Sequence, residues 1–232
     1  AKFAIGHCNG TATLHVALMA VGIQPGDEVI VPALTMSSTS IPVVLCGAIP
    51  VFADSDPDTF EISPESIEKC ITSKTKAIIT VSLFGLAPDY DKICAICKEH
   101  NLALIEDNAE CFLGTYKGKL VGQFGDISSY SFQASKHLTT GEGGMLITNS
   151  EELADKIRRL NCLGYAGVSA KQGKITRNDI QDPSYSRHIS FGYNYRMSEL
   201  QAAVACGQIE RAEELVQNRI EVAKIFDEVI KG

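Results

Sequence analysis

Short apolar runs rich in β-branched residues alternate along this chain with longer stretches whose apolar residues return at helical spacing. The short runs fall at residues 28–32, 49–53, 77–83, 102–107, 127–132 and 145–148, with a strand-like Phe3-Ala4-Ile5 ahead of them. Alternation of this kind predicts an α/β fold: a mostly parallel central sheet with helices on both faces. Two helix starts can be placed from local chemistry. Ser63-Pro64-Glu65 sets a capping hydroxyl before a proline suited to a first turn, and Ser198-Glu199-Leu200-Gln201 has the form of a capping box. From the second start, Leu200, Val204, Ile209, Leu215, Ile220, Val222 and Ile225 predict one long helix over 198–230. The one segment without a clear period, 163–189, is rich in Gly, Ser, Lys, Asp and Arg and reads as a functional loop.

Composition narrows the possibilities. With 232 residues, 45% hydrophobic and 21% charged, the chain can bury one sizeable core. A net charge of −7 argues against nucleic acid as the partner, because phosphate-backbone binding shows as a basic excess. No apolar run reaches the ~18 residues of a membrane span, and the first residues lack a signal-peptide pattern, so the reading is a cytoplasmic protein that binds small molecules. The eight cysteines are spread through apolar segments and read as reduced packing thiols. Cys94 and Cys97 lie in a helical pattern with no second pair to complete a zinc site. His7, His15, His100 and His188 read as structural. The chain opens in a strand and closes within a helix, so residues 1–232 are expected to be part of a longer protein.

Two places carry chemistry. Ser131-Phe132-Gln133-Ala134-Ser135-Lys136-His137, closed by Gly141-Glu142-Gly143-Gly144, sets one lysine in a small, uncharged neighbourhood after an apolar strand. Leu102-Ala103-Leu104-Ile105-Glu106-Asp107 is an apolar run ending in carboxylates, which is how a buried strand delivers an acid to the rim of a parallel sheet. A lysine and an aspartate together suggest pyridoxal 5'-phosphate, which needs an amine to condense with its aldehyde and a carboxylate to keep its ring nitrogen protonated. Asn9-Gly10-Thr11-Ala12-Thr13, just before a helical pattern over 14–21, offers free amides and the positive end of a helix dipole to a phosphate, and Ser131 adds a hydroxyl.

Those motifs, with Pro25-Gly26-Asp27-Glu28-Val29-Ile30-Val31-Pro32 and Gly192-Tyr193-Asn194-Tyr195-Arg196, resemble the DegT-type sugar-nucleotide aminotransferases from end to end. The resemblance implies the cofactor-binding large domain of a fold-type-I aminotransferase, with an N-terminal segment and a smaller C-terminal domain beyond it. It implies a homodimer with shared active sites, a nucleotide-sugar substrate and an amino acid donor, glutamate. By the same resemblance Lys136 holds the cofactor covalently and then carries the proton, and Asp107 pairs with the ring nitrogen. Gly10, Thr11 and Ser131 hold the phosphate, and Asn194 reaches it from the neighbouring subunit, with Arg196 as a companion. Two cofactor-binding candidates depart from the family's pattern. Met36 stands where an aromatic residue stacks on the ring, and Glu110 stands where glutamine contacts the ring hydroxyl; a carboxylate there repels a phenolate-like oxygen unless one of them is protonated. Dehydratases of this group replace the lysine with histidine; here the lysine is present and His137 follows it, which favours transamination. A dehydratase on the same fold and a non-catalytic cofactor-binding regulator are the alternatives.

Overall fold

The computed structural model describes residues 1–172 and 176–231. In chain order the first half contains β1 (Phe3–His7), α1 (Gly10–Ala20), β2 (Glu28–Pro32), α2 (Ile41–Leu45), β3 (Ile49–Ala53), α3 (Pro64–Cys70), β4 (Thr75–Val81) and α4 (Tyr90–His100). There follow β5 (Ala103–Asp107), β6 (Thr115–Tyr116), β7 (Lys119–Leu120), β8 (Ile127–Ser131), β9 (Gly144–Thr148), α5 (Glu151–Asn161), α6 (Arg177–Gln181), α7 (Glu199–Ile209) and α8 (Ala212–Lys231). Single 3-10 turns occupy Ser37–Thr39 and Leu83–Gly85.

Seven strands form one sheet in the order β1-β9-β8-β5-β4-β2-β3. Every pairing from β8 to β3 is parallel, whereas β9 runs antiparallel to both β8 and β1. The sheet is therefore mixed and mostly parallel, as the alternation of runs predicts. Its strands read as continuous apolar runs because both faces are covered. Successive residues then feed opposite cores. Val29, Val31, Ile79 and Ile105 pack with Leu14, Leu18 and Ile157 of α1 and α5 on one face. Ile30, Ile78 and Leu104 pack with Ile67, Ile93 and Ile96 of α3 and α4 on the other. Each such fully buried aliphatic side chain stabilises the fold by ~1.5–3 kcal/mol relative to exposure. Cys97 belongs to the second core with Cys94 packed against it, and all eight cysteines are free thiols.

Local capping follows the sequence. Ser63 accepts from the Ser66 N–H at the start of α3, and Ser198 and Gln201 form a reciprocal capping box at the start of α7. The single helix expected over 198–230 is instead two, broken at Glu210–Arg211. The Arg211 N–H turns back to the Gln208 carbonyl at 3.1 Å, and the Arg211 side chain pairs with Glu214. Among the described residues α7 buries none and α8 only Ala212, so the apolar repeat marks an uncovered face rather than a continuous axis. The aperiodic 163–189 segment contains α6 and is tied across its base by a bridge between Tyr165 and His188; residues 173–175 of it lie outside the described residues. No helix among the described residues is long and apolar enough to cross a membrane.

Three strand ends and one helix start meet at the carboxyl edge of the parallel strands. Asp107 closes β5, Ser131 closes β8, the chain leaves β2 at Pro32, and α1 begins at Gly10. Ligands bind at this edge in open α/β sheets.

Candidate active site

A cavity of about 620 Å³ opens at that edge. Gly10 and Thr11 of α1, Met36, Asp107 and Glu110 after β5, and Ser131 and Lys136 after β8 all line it. Residues separated by up to 126 positions are thus gathered by the sheet. Asn194 is the exception among the candidates: it is exposed, its backbone bridges to Cys162, and it does not line the cavity. Arg196 is also exposed, with its guanidinium 3.5 Å from Cys162 Sγ.

One wall is built to receive an anion. Asn9 caps α1 by accepting from the Ala12 N–H at 2.8 Å. The amides of Gly10 and Thr11, in the first turn, have no intrahelical acceptor. A Cβ placed on Gly10 would sit 2.8 Å from Ser131 Cβ, so only glycine lets the Ser131 hydroxyl lie against the helix start. Behind it, the Thr13 and Ser129 hydroxyls meet at 2.5 Å and pin α1 to β8.

The end of β5 brings the acid to the same cavity. Asp107 is buried, with Oδ1 accepting from the Ala109 N–H at 3.1 Å and Oδ2 from the Thr39 hydroxyl at 3.4 Å. Burial pushes its carboxyl up to about 6. The Ala109 N–H, the Lys136 cation and Thr39 oppose that rise, and Glu110 adds to it.

Lys136 lies on a tightly held loop. Its N–H donates to the Gln133 carbonyl at 2.9 Å, Thr140 N–H donates to the Phe132 carbonyl at 2.9 Å, and Arg219 of α8 donates to the Lys136 carbonyl at 3.1 Å. The ammonium pairs with Glu110 Oε1 at 3.0 Å, both side chains being largely shielded, with 18% and 28% of their surface exposed. Glu110, a cofactor-binding candidate, thus stands here as the counter-ion of the lysine. His137 beside it is half-buried, and burial lowers its imidazole.

Pyridoxal 5'-phosphate fits these residues. The Gly10 cradle with Ser131 and the α1 amides suits its phosphate, a buried acid suits its ring nitrogen, and the Lys136 amine lines the same cavity. Met36 is exposed on the cavity wall, where a thioether can lie on a ring face. Thr35 and Thr39, by contrast, went unremarked in the sequence; hydroxyls one helical turn apart after Pro32 were the available signal. Asn9 lies within the phosphate motif, but its capping role appears only in the fold.

Residues 1–232 match the profile of the DegT/DnrJ/EryC1/StrS aminotransferase family. The chain belongs to that family. It is 43% identical over 231 residues to a GDP-perosamine synthase of Escherichia coli O157:H7, covering 100% of this chain and 59% of that protein. Among solved structures, an aminotransferase from Psychrobacter cryohalolentis superposes with a TM-score of 0.80 at 42% identity, covering 90% of this chain and 52% of the other. A Bacillus subtilis protein solved with bound cofactor PMP superposes with a TM-score of 0.77 at 31% identity, covering 90% and 44%. The fold is that of the fold-type-I aminotransferases, and the chain spans about three-fifths of the length of the curated relative it matches.

Proposed function

We propose that the whole protein is a pyridoxal phosphate-dependent aminotransferase that moves the amine of an amino acid, glutamate, onto a keto group of a nucleotide-linked sugar. The observation that carries this reading is the joint placement of Lys136, Asp107 and the Gly10–Ser131 anion cradle on one cavity. When bound, the cofactor supplies an electrophilic aldehyde and a cationic ring that accepts electrons. Asp107 holds its negative charge against the ring nitrogen; Gly10, Thr11 and Ser131 hold the phosphate; Met36 covers a ring face. Lys136 tethers the cofactor, and its freed Nζ then adds and removes the proton at the substrate carbon that bears nitrogen. Glu110, 3.0 Å from Nζ, holds that amine in place while it is free. A retained lysine favours amine transfer over dehydration.

A homodimer is part of the proposal, supported by exposed apolar residues on α2 and β3 and by an exposed Asn194 that does not line its own cavity. So is a cytoplasmic location, supported by eight free thiols. The deciding experiment is an absorption spectrum of the purified full-length protein before and after glutamate. The proposal expects a cofactor band that shifts with the donor and that Lys136→Ala abolishes together with turnover; a Lys136→Ala protein transaminating at the native rate refutes it.

A further inference from the structure

The Thr39 side chain is fully buried, so its hydroxyl has no bulk water to turn to. It has two partners: Asp107 Oδ2 at 3.4 Å and Thr35 Oγ1 at 3.0 Å. A carboxylate only accepts, and a hydroxyl has a single hydrogen. Thr39 therefore donates to Asp107 and accepts from Thr35, a half-buried residue on the cavity wall. With Ala109 N–H on Oδ1, both carboxylate oxygens are held and the plane of the group is fixed. The turn Ser37–Thr39 that supplies this hydroxyl starts from Met36, so one short element places both the ring-covering thioether and the donor to the acid.

We propose that Thr39 is a positioning residue: through the relay Thr35 to Thr39 to Asp107, it keeps the Asp107 carboxylate charged and correctly oriented for the cofactor's ring nitrogen. The inference rests on the role given to Asp107 in the proposed function. The charged groups facing Asp107 are Lys136, which favours its ionised form, and Glu110, which disfavours it. Those two are paired with each other at 3.0 Å, so Glu110 offsets part of the field of Lys136, and the Thr39 hydroxyl adds to the Ala109 N–H and Lys136 in holding the carboxylate charged against burial. Burial by itself pushes an acid toward its neutral form, which cannot hold a ring nitrogen cationic.

The test uses the full-length protein with Thr39→Val, which keeps the shape and removes the hydroxyl, and Thr39→Ser, which keeps the hydroxyl. Two measurements are made: the Asp107 carboxyl midpoint by carbon-13 NMR of cofactor-free protein, and the nitrogen-15 resonance of ring-labelled cofactor in loaded protein. The valine variant is expected to raise the carboxyl midpoint by about one pH unit. It also moves the ring resonance toward neutral pyridine and slows the half-reaction with glutamate about tenfold. The serine variant restores all three. Identical midpoints and resonances in wild type and Thr39→Val, or a serine variant that behaves like valine, overturn the proposal. If Thr39→Val does not fold, Thr39→Ala is measured against Thr39→Ser in the same way. A wild-type protein that takes up no cofactor refutes the proposed function while leaving the carboxyl titration readable; unchanged values in a protein that binds cofactor refute this inference alone.

Discussion

Glu61 is a carboxyl group buried beneath the turn that lines the cavity. Its Oε1 accepts from the Leu83 N–H at 3.0 Å, and its Oε2 has no partner among the described residues. Burial pushes it up to about 8, with the Leu83 N–H opposing. The folded chain thus binds this proton more tightly than the unfolded chain, whose value is near 4.5. In that window the native state carries more protons, so stability falls as pH rises from about 4.5 to about 8 and levels off above it. Glu61→Gln keeps an acceptor for Leu83 and removes the titration. Relative to wild type, the variant should gain on the order of 3 kcal/mol between pH 5 and pH 8, read from urea midpoints. Parallel curves for the two proteins across that range would rule this out. Glu61 illustrates why part of the site was illegible in the sequence. Asp107 and Ser131 stand at the ends of apolar runs, where a polar residue is conspicuous, and Lys136 and Gly10 sit in small-residue motifs just beyond such runs. Glu61 and Thr39 acquire their roles only from backbone and side chains 22 and 68 positions away.

At the scale of elements, legibility followed burial. β2 begins and ends where its apolar run does, because a strand covered on both faces tolerates no polar residue inside it, and the edge strand β3 keeps the bounds of its run although much of it is uncovered. The paired β6 and β7, two residues each around a left-handed Lys117-Gly118 tip, are too short to show any period. The α7–α8 break was hidden because neither helix buries a continuous stripe. The end of β5 shows how one element serves fold and site together. Asp107 faces the cavity, while the adjacent Glu106 points to the other side and accepts from the amides of Gly122, Phe124 and Gly125 at 2.6–2.8 Å and from the Ser128 hydroxyl at 3.0 Å. This buried carboxylate ties the loop before β8 to β5, and β8 carries Ser131. Glu106→Ala leaves those donors without an acceptor and should cost about 3–5 kcal/mol in urea unfolding of the full-length protein. A loss below about 1 kcal/mol would mean that water replaces the carboxylate.

For the whole molecule, the exposed apolar residues of α2 and β3 call for a covering partner. Val44 and Leu45 of α2 are 60% and 58% exposed, and Ile49 and Phe52 of the edge strand β3 are 47% and 56% exposed. Phe52 lies on the sheet face that α2 covers and Ile49 on the opposite face, so uncovered apolar residues flank this edge, and such an edge suits association. α2 packs against the Ser37–Thr39 turn that follows the cavity-lining Met36, so a partner seated on α2 would lie near the site. In a two-fold dimer each chain offers the same patch, and a residue that misses its own cavity, such as Asn194, can enter the partner's. Val44→Asp combined with Leu45→Asp sets two charges on this face without touching either core. The variant is expected to sediment as a monomer where the wild-type full-length protein sediments as a dimer. If Asn194 completes the partner's phosphate site, the monomer also binds the cofactor at least tenfold more weakly, about 1.4 kcal/mol, and Asn194→Ala reproduces that loss in a protein that remains dimeric. A double variant that stays dimeric, while Leu200→Asp with Val204→Asp on the equally uncovered α7 dissociates, would move the interface from the sheet edge to the helix face.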